Sequence, residues 1–213
     1  MMLKEFLLLA LLGAMSSLAI AREQVVTLFN GKDLSGWVGT GYLVEDGVIK
    51  CTKQGRNLRT EKEYQNYIFS FEFKLPIAGN NGLGIHYPGQ GDPAYTGIEL
   101  QILDNSAAKY AKLKPSQYHG GVYKLKAAMR GYLKPVGEWN TQRVTVQGEH
   151  VIVELNGALI NVASLDDLQQ QYPKHAGVKR RKGYITFCGH GDAVEFKNIS
   201  IREIMLKPNQ SNQ

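Results

Sequence analysis

The sequence predicts an all-β protein, a β-sandwich of jelly-roll type made of two antiparallel sheets. Three observations support this fold class: many short segments alternate apolar and polar residues, turn signals separate them, and only one segment is typical of a helix. Side chains on a strand switch face at each residue, so this alternation marks strands with one buried face. Short antiparallel strands with almost no helix are typical of such sandwiches.

Two-residue turns and one helix cap define the local elements. Asp46-Gly47 and Asn156-Gly157 predict two hairpins, because Asp-Gly and Asn-Gly favour the turns that match strand twist. Ser164 is a suitable cap for the only predicted helix, Leu165–Gln171. Outside the stretch Asn80–Asp104, the predicted strands are Tyr42–Glu45, Val48–Cys51, Ile68–Lys74, His119–Lys124, Arg143–Gln147, Val151–Leu155, Leu159–Val162, Tyr184–His190 and Val194–Ile204.

The N-terminal residues 1–21 have the features of a signal peptide. Lys4 supplies a weak positive region, Phe6–Met15 is apolar, and Ala19-Ile20-Ala21 fits a cleavage site. The apolar run is too short to span a bilayer comfortably. We therefore expect no membrane insertion and a periplasmic or secreted protein, with one domain over residues 22–206 and a disordered tail over 207–213.

The chain has a formal net charge of +6, but its basic residues are scattered except for the run Lys179–Lys182. No nucleic-acid motif accompanies that run, so we expect a solvated loop and no nucleic-acid partner. Cys51 and Cys188 lie in separate predicted strands. They form a disulfide if those strands are neighbours, and otherwise they are two buried thiols.

The stretch Asn80–Asp104 is the most informative part of the sequence. It contains two strands in which apolar residues occupy every second position. The opposite face would carry His86, Glu99 and Gln101. An imidazole, a carboxylate and an amide on one sheet face predict a sugar site, although a solvated face would show the same alternation. The apolar set is Leu83, Ile85, Tyr87, Ile98, Leu100 and Ile102.

Six motifs follow one another along the chain. They are FNGKDLSGW (Phe29–Trp37), Glu45-Asp46-Gly47, GIELQILD (Gly97–Asp104), GEWN (Gly137–Asn140), LNG (Leu155–Gly157) and VEFKNISI (Val194–Ile201). Together they resemble the 3-keto-disaccharide hydrolase domain family over roughly Val26–Ile204. The resemblance implies a concanavalin A-like jelly-roll sandwich, export in bacteria and action on oxidised glycosides. Members often have Arg at the position of His86 and Gln at that of Cys188.

The resemblance also implies a particular chemistry. A ketone at C3 of a hexose makes the C2 proton acidic, so a base can remove it, the C1 substituent leaves by β-elimination, and water then adds back. Such a route needs a base, a group or metal that stabilises the enolate oxygen, and an acid near the leaving oxygen. The cofactor is left open, with a divalent cation as the candidate. No nicotinamide or flavin motif is present, so we expect a separate sugar 3-oxidoreductase to supply the ketone.

The candidate catalytic residues are Glu99, His119 and Tyr123. Glu99 would be a metal ligand or a proton-transfer group, His119 the C2 base, and Tyr123 the acid at the leaving oxygen. Glu99 and His86 could form a metal pair, but two ligands do not identify a metal. The residues expected to contact substrate are Gln101, Arg56, His86, Trp139 and His190.

Two other functions stay open at this point. A sandwich of this type serves non-catalytic carbohydrate-binding modules as readily as enzymes. An ordinary glycoside hydrolase needs two carboxyl groups, about 5 Å apart for retention or about 6.5–9.5 Å for inversion. The residue two positions after Glu99 is Gln101, which cannot serve as acid or base, so Glu72 or Asp192 would have to supply the second carboxylate.

Overall fold

The computed structural model describes residues 24–205 as a sandwich of two antiparallel sheets. The predicted signal peptide and the predicted tail lie outside these residues. The large sheet has the strand order β11-β10-β9-β6-β13-β4-β3, with β1 paired to β13, and the small sheet has the order β2-β5-β12-β7-β8. This architecture confirms the concanavalin A-like jelly-roll class. No helix in this part of the chain is long and apolar enough to cross a bilayer.

The strands are short and the helices few. The strands are β1 Val25–Thr27, β2 Trp37–Gly39, β3 Tyr42–Glu45, β4 Val48–Cys51, β5 Asn57–Tyr64, β6 Tyr67–Lys74, β7 Asn80–Tyr87, β8 Ile98–Leu103, β9 Trp139–Gln147, β10 His150–Leu155, β11 Ala158–Ser164, β12 Gly183–Cys188 and β13 Glu195–Glu203. The α-helices are α1 Pro93–Thr96 and α2 Leu165–Gln171. Single 3-10 turns occupy Ala108–Tyr110, Pro115–Gln117 and Gly177–Lys179.

Both predicted hairpins are confirmed. Asp46 and Gly47 have φ values of 51° and 73°, and Asn156 and Gly157 have 51° and 86°. Positive φ at both turn residues gives the turn that matches the right-handed twist of the flanking strands. The predicted helix is confirmed as α2, in which the Ser164 hydroxyl accepts a hydrogen bond from the Asp167 backbone amide at 3.2 Å.

The predicted strand His119–Lys124 is wrong. This segment forms turns that follow the edge of β8, and its only ladder contacts are isolated bridges from Val122 to Leu100 and to Lys126. Lys124 has a φ of 63°, which a strand cannot accommodate. The strands β1, β2 and β5 and the short helix α1 were not predicted.

The core lies between the two sheets and is rich in aromatic side chains. Phe69, Phe71 and Phe73 face inward from β6, as the alternation predicts. Phe187 of the small sheet stacks on Trp37 with ring centroids 5.5 Å apart and meets Phe71 edge-on at 5.6 Å. Truncating such a side chain to alanine typically costs about 3–5 kcal/mol. These rings therefore hold the two sheets together.

The two cysteines are buried free thiols. Cys51 lies on β4 of the large sheet and Cys188 on β12 of the small sheet, so their strands are not neighbours. Of the two alternatives that the sequence leaves open, the structure has the free thiols.

Two histidines are buried without an acidic partner close enough to form an ion pair. His119 is 2% exposed and stacks on Phe73, with ring centroids 5.2 Å apart. Burial lowers the pKa of His119 to about 3. Burial, aided by the positive charge of Arg181, lowers the pKa of His86 to about 4. Both rings are therefore neutral in the folded protein at neutral pH.

These depressed pKa values predict loss of stability in mild acid. Below the unfolded pKa of 6.5, the unfolded chain binds protons that the folded protein excludes until about pH 3–4. The free energy of unfolding should therefore decrease as the pH falls below 6.5, by up to about 1.4 kcal/mol per pH unit for each histidine.

Urea unfolding from pH 7 to 4.5 measures this slope. His119→Gln should flatten it, whereas His150→Gln, a control at a half-exposed position, should leave it unchanged. An identical slope in His119→Gln and the parent protein would contradict the prediction.

Candidate functional site

A pocket of about 190 Å³ opens on the outer face of the small sheet. Its floor comes from β7 and β8, and three loops form its walls: the turn with α1, the segment 105–118 with its 3-10 turns, and the turn after β12. The lining residues are Asn80, Asp92, Ala94, Tyr95, Glu99, Gln101, Leu103, Tyr110, Leu113, Gln117, Tyr123 and His190. The loops cover the sheet, so its outer face is buried rather than solvated.

Glu99 is the buried acid of this pocket. It lies opposite Gly84 on β7, two pairs along the ladder from Gln101 and Gly82. A Cβ atom at Gly82 would lie 1.9 Å from Glu99 Oε1, so only glycine leaves room for the carboxylate at this position. Glu99 is 4% exposed, and its Oε1 has no hydrogen-bond partner among the described residues. A buried carboxylate oxygen without a hydrogen bond is unusual in a folded protein, and it marks Glu99 as a candidate functional group.

His190 faces Glu99 across the pocket. Its Nε2 lies 3.7 Å from Glu99 Oε1, and its side chain is 47% exposed. Contact with the Glu99 carboxylate raises the pKa of His190 above its ordinary 6.5, while burial opposes this shift. The Gly189 amide donates to the Arg56 carbonyl at 2.9 Å, which fixes the backbone just before His190. The pocket thus contains a carboxylate–imidazole pair.

Amide side chains continue the polar floor beside Glu99. The Gln101 Nε2 donates to the Asn80 Oδ1 at 2.7 Å across the β7–β8 pair. Gln101 is 4% exposed, so it is held in a fixed orientation within the pocket. The structure brings Gln101 and Glu99 to one face of β8, as the sequence predicts.

Tyr123 reaches the pocket from the turns that replace the predicted strand. Its amide donates to the Glu99 carbonyl at 2.9 Å, and its hydroxyl accepts from the Gln117 Nε2 at 3.3 Å. At the rim, the Lys124 ammonium donates to the Tyr95 hydroxyl at 2.8 Å and lies 5.2 Å from the centre of the Tyr123 ring. Two phenols and one ammonium therefore flank the entrance.

His86 was expected on this face, and the structure contradicts that expectation. Between Gly84 and Tyr87 the strand β7 has one residue more than its partner β12, and His86 has a φ of 52°. This β-bulge interrupts the alternation and turns the following side chains. His86 is fully buried outside the pocket. Tyr87 changes face too: it lies outside the apolar core, and its hydroxyl donates to the Gly91 carbonyl at 3.1 Å.

Three more of the predicted site residues lie away from the pocket lining. His119 is enclosed in the core against Phe73, so this arrangement does not favour it as a base. Trp139 lies on the outer face of the large sheet, where the Lys197 ammonium is 4.1 Å from the centre of its ring. Arg56 is exposed next to the His190 turn, which it contacts through its backbone.

The donor set does not fit the predicted Glu99–His86 metal pair, because the bulge separates the two side chains. Within residues 24–205, no group of three or more His, Cys, Asp or Glu side chains could hold a metal ion. The pocket does offer carboxylate and amide oxygens and one imidazole, which are general polar contacts for a sugar.

Sequence reasoning missed Asp92 and Cys188. Asp92 lines the pocket and caps α1, where its Oδ1 accepts from the Ala94 amide at 2.9 Å. The Asp-Pro pair at the start of α1 is a helix-cap signal, but it does not indicate a site. Cys188 is buried near Glu99, and burial, followed by the Glu99 charge, raises the pKa of its thiol. Neither Glu72 nor Asp192, the carboxylates expected to join Glu99, lines this pocket.

The basic run Lys179–Lys182 is engaged in local structure. Arg180 donates to the Thr96 carbonyl at 3.0 Å, Arg181 pairs with Asp166, and Lys182 lies 3.5 Å from Glu63. These contacts attach the run to α1, to α2 and to β5.

Known proteins resemble this chain in both fold and sequence. A curated 3-keto-disaccharide hydrolase of Bacteroides thetaiotaomicron is 26% identical over 87% of this chain and 80% of its own length. A crystal structure of a "Putative glycosyl hydrolase" from Parabacteroides distasonis has a TM-score of 0.76 at 27% identity, covering 85% of this chain and all of that one.

A Bacillus subtilis protein with a galectin-like fold has a TM-score of 0.56 at 12% identity, covering 86% of this chain and 96% of its own, and it supports the fold alone. The family model described as the 3-keto-alpha-glucoside-1,2-lyase-like domain matches residues 24–202. The chain therefore belongs to the family of 3-keto-alpha-glucoside-1,2-lyase-like domains.

Proposed function

We propose that this protein is a carbohydrate-active enzyme that cleaves 3-keto-glycosides by elimination and hydration. The observation that carries this proposal is the buried Glu99 carboxylate, which has an unpartnered oxygen 3.7 Å from the His190 imidazole on the floor of a small pocket. Family membership and the names of the relatives support the substrate class. The pocket is smaller than the roughly 300–1,000 Å³ of drug-sized sites, which suits one sugar ring.

The proposed reaction begins at the C2 proton of the keto-sugar. A base takes this proton, the electron pair moves into the C3 carbonyl, and the enolate then expels the C1 oxygen with its bond pair. The leaving oxygen takes up a proton. Water adds to the resulting unsaturated ketone, with its hydroxyl at C1 and a proton at C2, so the net result is hydrolysis.

Glu99 takes the role of the base in this proposal. The sequence predicts His119 for that role, but His119 stacks on Phe73 in the core, whereas Glu99 lines the pocket. Burial excludes water and strengthens each electrostatic interaction with the reacting atoms. Glu99 thus has both the position and the charge for proton transfer.

His190 and Tyr123 supply the two remaining roles. A raised pKa favours the imidazolium form of His190, which can stabilise the negative charge on the C3 oxygen. Tyr123 presents a phenol on the same pocket and can donate a proton to the leaving oxygen. Gln101, oriented by Asn80, holds a sugar hydroxyl.

The proposal includes a cellular context. A separate sugar 3-oxidoreductase would form the ketone before this enzyme acts. Residues 1–21 would direct export to the periplasm or the medium and would then be removed by cleavage after Ala21. N-terminal sequencing of the mature protein, which should begin at Arg22, tests this cleavage.

One observation favours a second candidate, an ordinary two-carboxylate glycoside hydrolase. Asp92 and Glu99 line the same pocket, so two carboxyl groups are present there. The two candidates differ in substrate, because direct hydrolysis needs no ketone. The protein should cleave a 3-keto-disaccharide and leave the unoxidised parent intact. Cleavage of both at similar rates would favour the second candidate, and binding of either sugar without any product would indicate a carbohydrate-binding module.

Glu99→Gln should abolish most of the activity on the 3-keto-disaccharide. The amide keeps the size of the side chain but cannot accept the C2 proton, so kcat/KM should fall by about 10²–10⁴-fold. Glu61→Gln, at an exposed position on β5, is the matched control and should behave like the parent. The measurement is product formation by liquid chromatography. Full activity in Glu99→Gln would refute the role of Glu99.

The pH profile tests the role of His190. If the imidazolium stabilises the enolate, kcat/KM should decrease as the pH rises through the pKa of His190, which lies above 6.5. His190→Gln should have lower activity and no such alkaline decrease, since glutamine does not titrate. The profile is measured from pH 5.5 to 9 with both proteins. An alkaline limb that persists in His190→Gln would assign it to another group.

A further inference from the structure

A groove of about 370 Å³ lies on the outer face of the large sheet, on the opposite side of the sandwich from the pocket. Its walls come from four neighbouring strands, β10, β9, β6 and β13. Apart from the buried Gln142, the polar residues that line it are Ser70, Glu72, Thr141, Arg143, Glu154 and Asn198. Neither the pocket chemistry nor the predicted site uses these residues; Glu72 was named only as a possible second carboxylate in the alternative of an ordinary glycoside hydrolase.

Two backbone irregularities shape this groove. At one end, the Asn156 side chain fixes the β10–β11 turn by donating to the Tyr132 carbonyl at 2.8 Å and accepting from the Thr141 amide at 2.9 Å. At the other side, β13 has a bulge at Asn198, where φ is 51°. The bulge lets the Asn198 side chain donate from Nδ2 to the Glu72 carboxylate at 2.7 Å. The lining groups are thereby ordered before any ligand binds, which reduces the entropic cost of binding.

The charged side chains in and around the groove form balanced pairs. Arg143 lies 3.6 Å from Glu154, and Lys197 lies 3.6 Å from Glu72. A third pair nearby, Lys74 with Glu195, has a separation of 2.7 Å. Within these three pairs the charges balance, so the groove itself has no excess of one sign. Such a surface does not attract a polyanion, which requires an excess of one sign.

Trp139 lies next to the groove, opposite Lys74 on β6, and the Lys74 ammonium is 5.0 Å from the centre of its ring. Its indole is half-buried on the same outer face, two residues before Thr141, and it lies beside Lys197. An aromatic ring with a polar edge packs against the C–H face of a sugar while the polar side chains exchange hydrogen bonds with its hydroxyls. The groove therefore combines donors and acceptors with a neighbouring aromatic ring, and its ion pairs balance in charge.

We propose that this groove, formed by the polar face around Arg143, Glu154, Glu72 and Asn198, binds a neutral oligosaccharide. It is separate from the Glu99 pocket and does not depend on the proposed reaction. Bound there, a longer glycan would keep the protein near carbohydrate that carries the substrate of the pocket.

Calorimetric titration with neutral glucose hexamers tests the groove. The probes are maltohexaose, cellohexaose and laminarihexaose, with a galacturonic acid hexamer as the anionic comparison. At least one neutral hexamer should bind, and Arg143→Ala should weaken that binding by tenfold or more. Trp139→Ala should weaken it as well. Glu99→Gln should bind the hexamer as the parent does, because its substitution lies in the pocket.

Lys182→Ala is the matched control for Arg143→Ala. Lys182 also has an acidic partner, at 3.5 Å, and its side chain is 60% exposed against 56% for Arg143. Circular dichroism confirms that each variant is folded. The proposal is overturned if no neutral hexamer binds, if binding persists in Arg143→Ala and Trp139→Ala, if Lys182→Ala weakens it equally, or if the anionic hexamer binds more tightly.

Discussion

The burial of the Glu99 carboxylate is the constraint on which the rest of the site depends. A carboxylate removed from water is costly unless a neighbouring group compensates for it. His190 supplies the only nearby imidazole among the lining residues of the pocket, at 3.7 Å. Gly82 leaves the space that the carboxylate occupies. The covering loops leave Glu99 only 4% exposed, and a buried carboxylate acts more strongly on neighbouring groups than one in water.

The bulge in β7 separates His86 from Glu99, which strand alternation alone would have placed on one face of the sheet. Without the extra residue, His86 would lie on the face of Glu99, as simple alternation predicts. With it, His86 enters the interior near Arg181 and is neutral. The imidazole that faces Glu99 across the pocket is instead that of His190, which follows β12 and remains half-exposed. The imidazole of the site is therefore one that can exchange protons with solvent.

Local patterns predicted the elements that depend on local physics. The Asp46-Gly47 and Asn156-Gly157 turns, the capped helix α2 and the inward phenylalanines of β6 follow from backbone preference and alternation alone. The same reasoning found Glu99, Gln101, Tyr123 and His190 as residues of one pocket. It failed where contacts between residues distant in sequence determine the backbone conformation. Tyr123 lies in turns that are hydrogen-bonded to β8 and not in a strand. Asp92 lies at the pocket because it caps α1.

The two faces of the sandwich differ in how their polar groups are used, and this difference argues for different tasks. On the small sheet, loops bury one carboxylate, and its Oε1 has no hydrogen bond among the described residues. On the large sheet, the carboxylates of Glu72 and Glu154 are each paired with a cation and partly exposed. Paired, solvated carboxylates are poor proton-transfer groups but suitable hydrogen-bond acceptors. This contrast supports the proposal that the reaction takes place on the small sheet, while the proposed groove on the large sheet would hold a ligand without changing it.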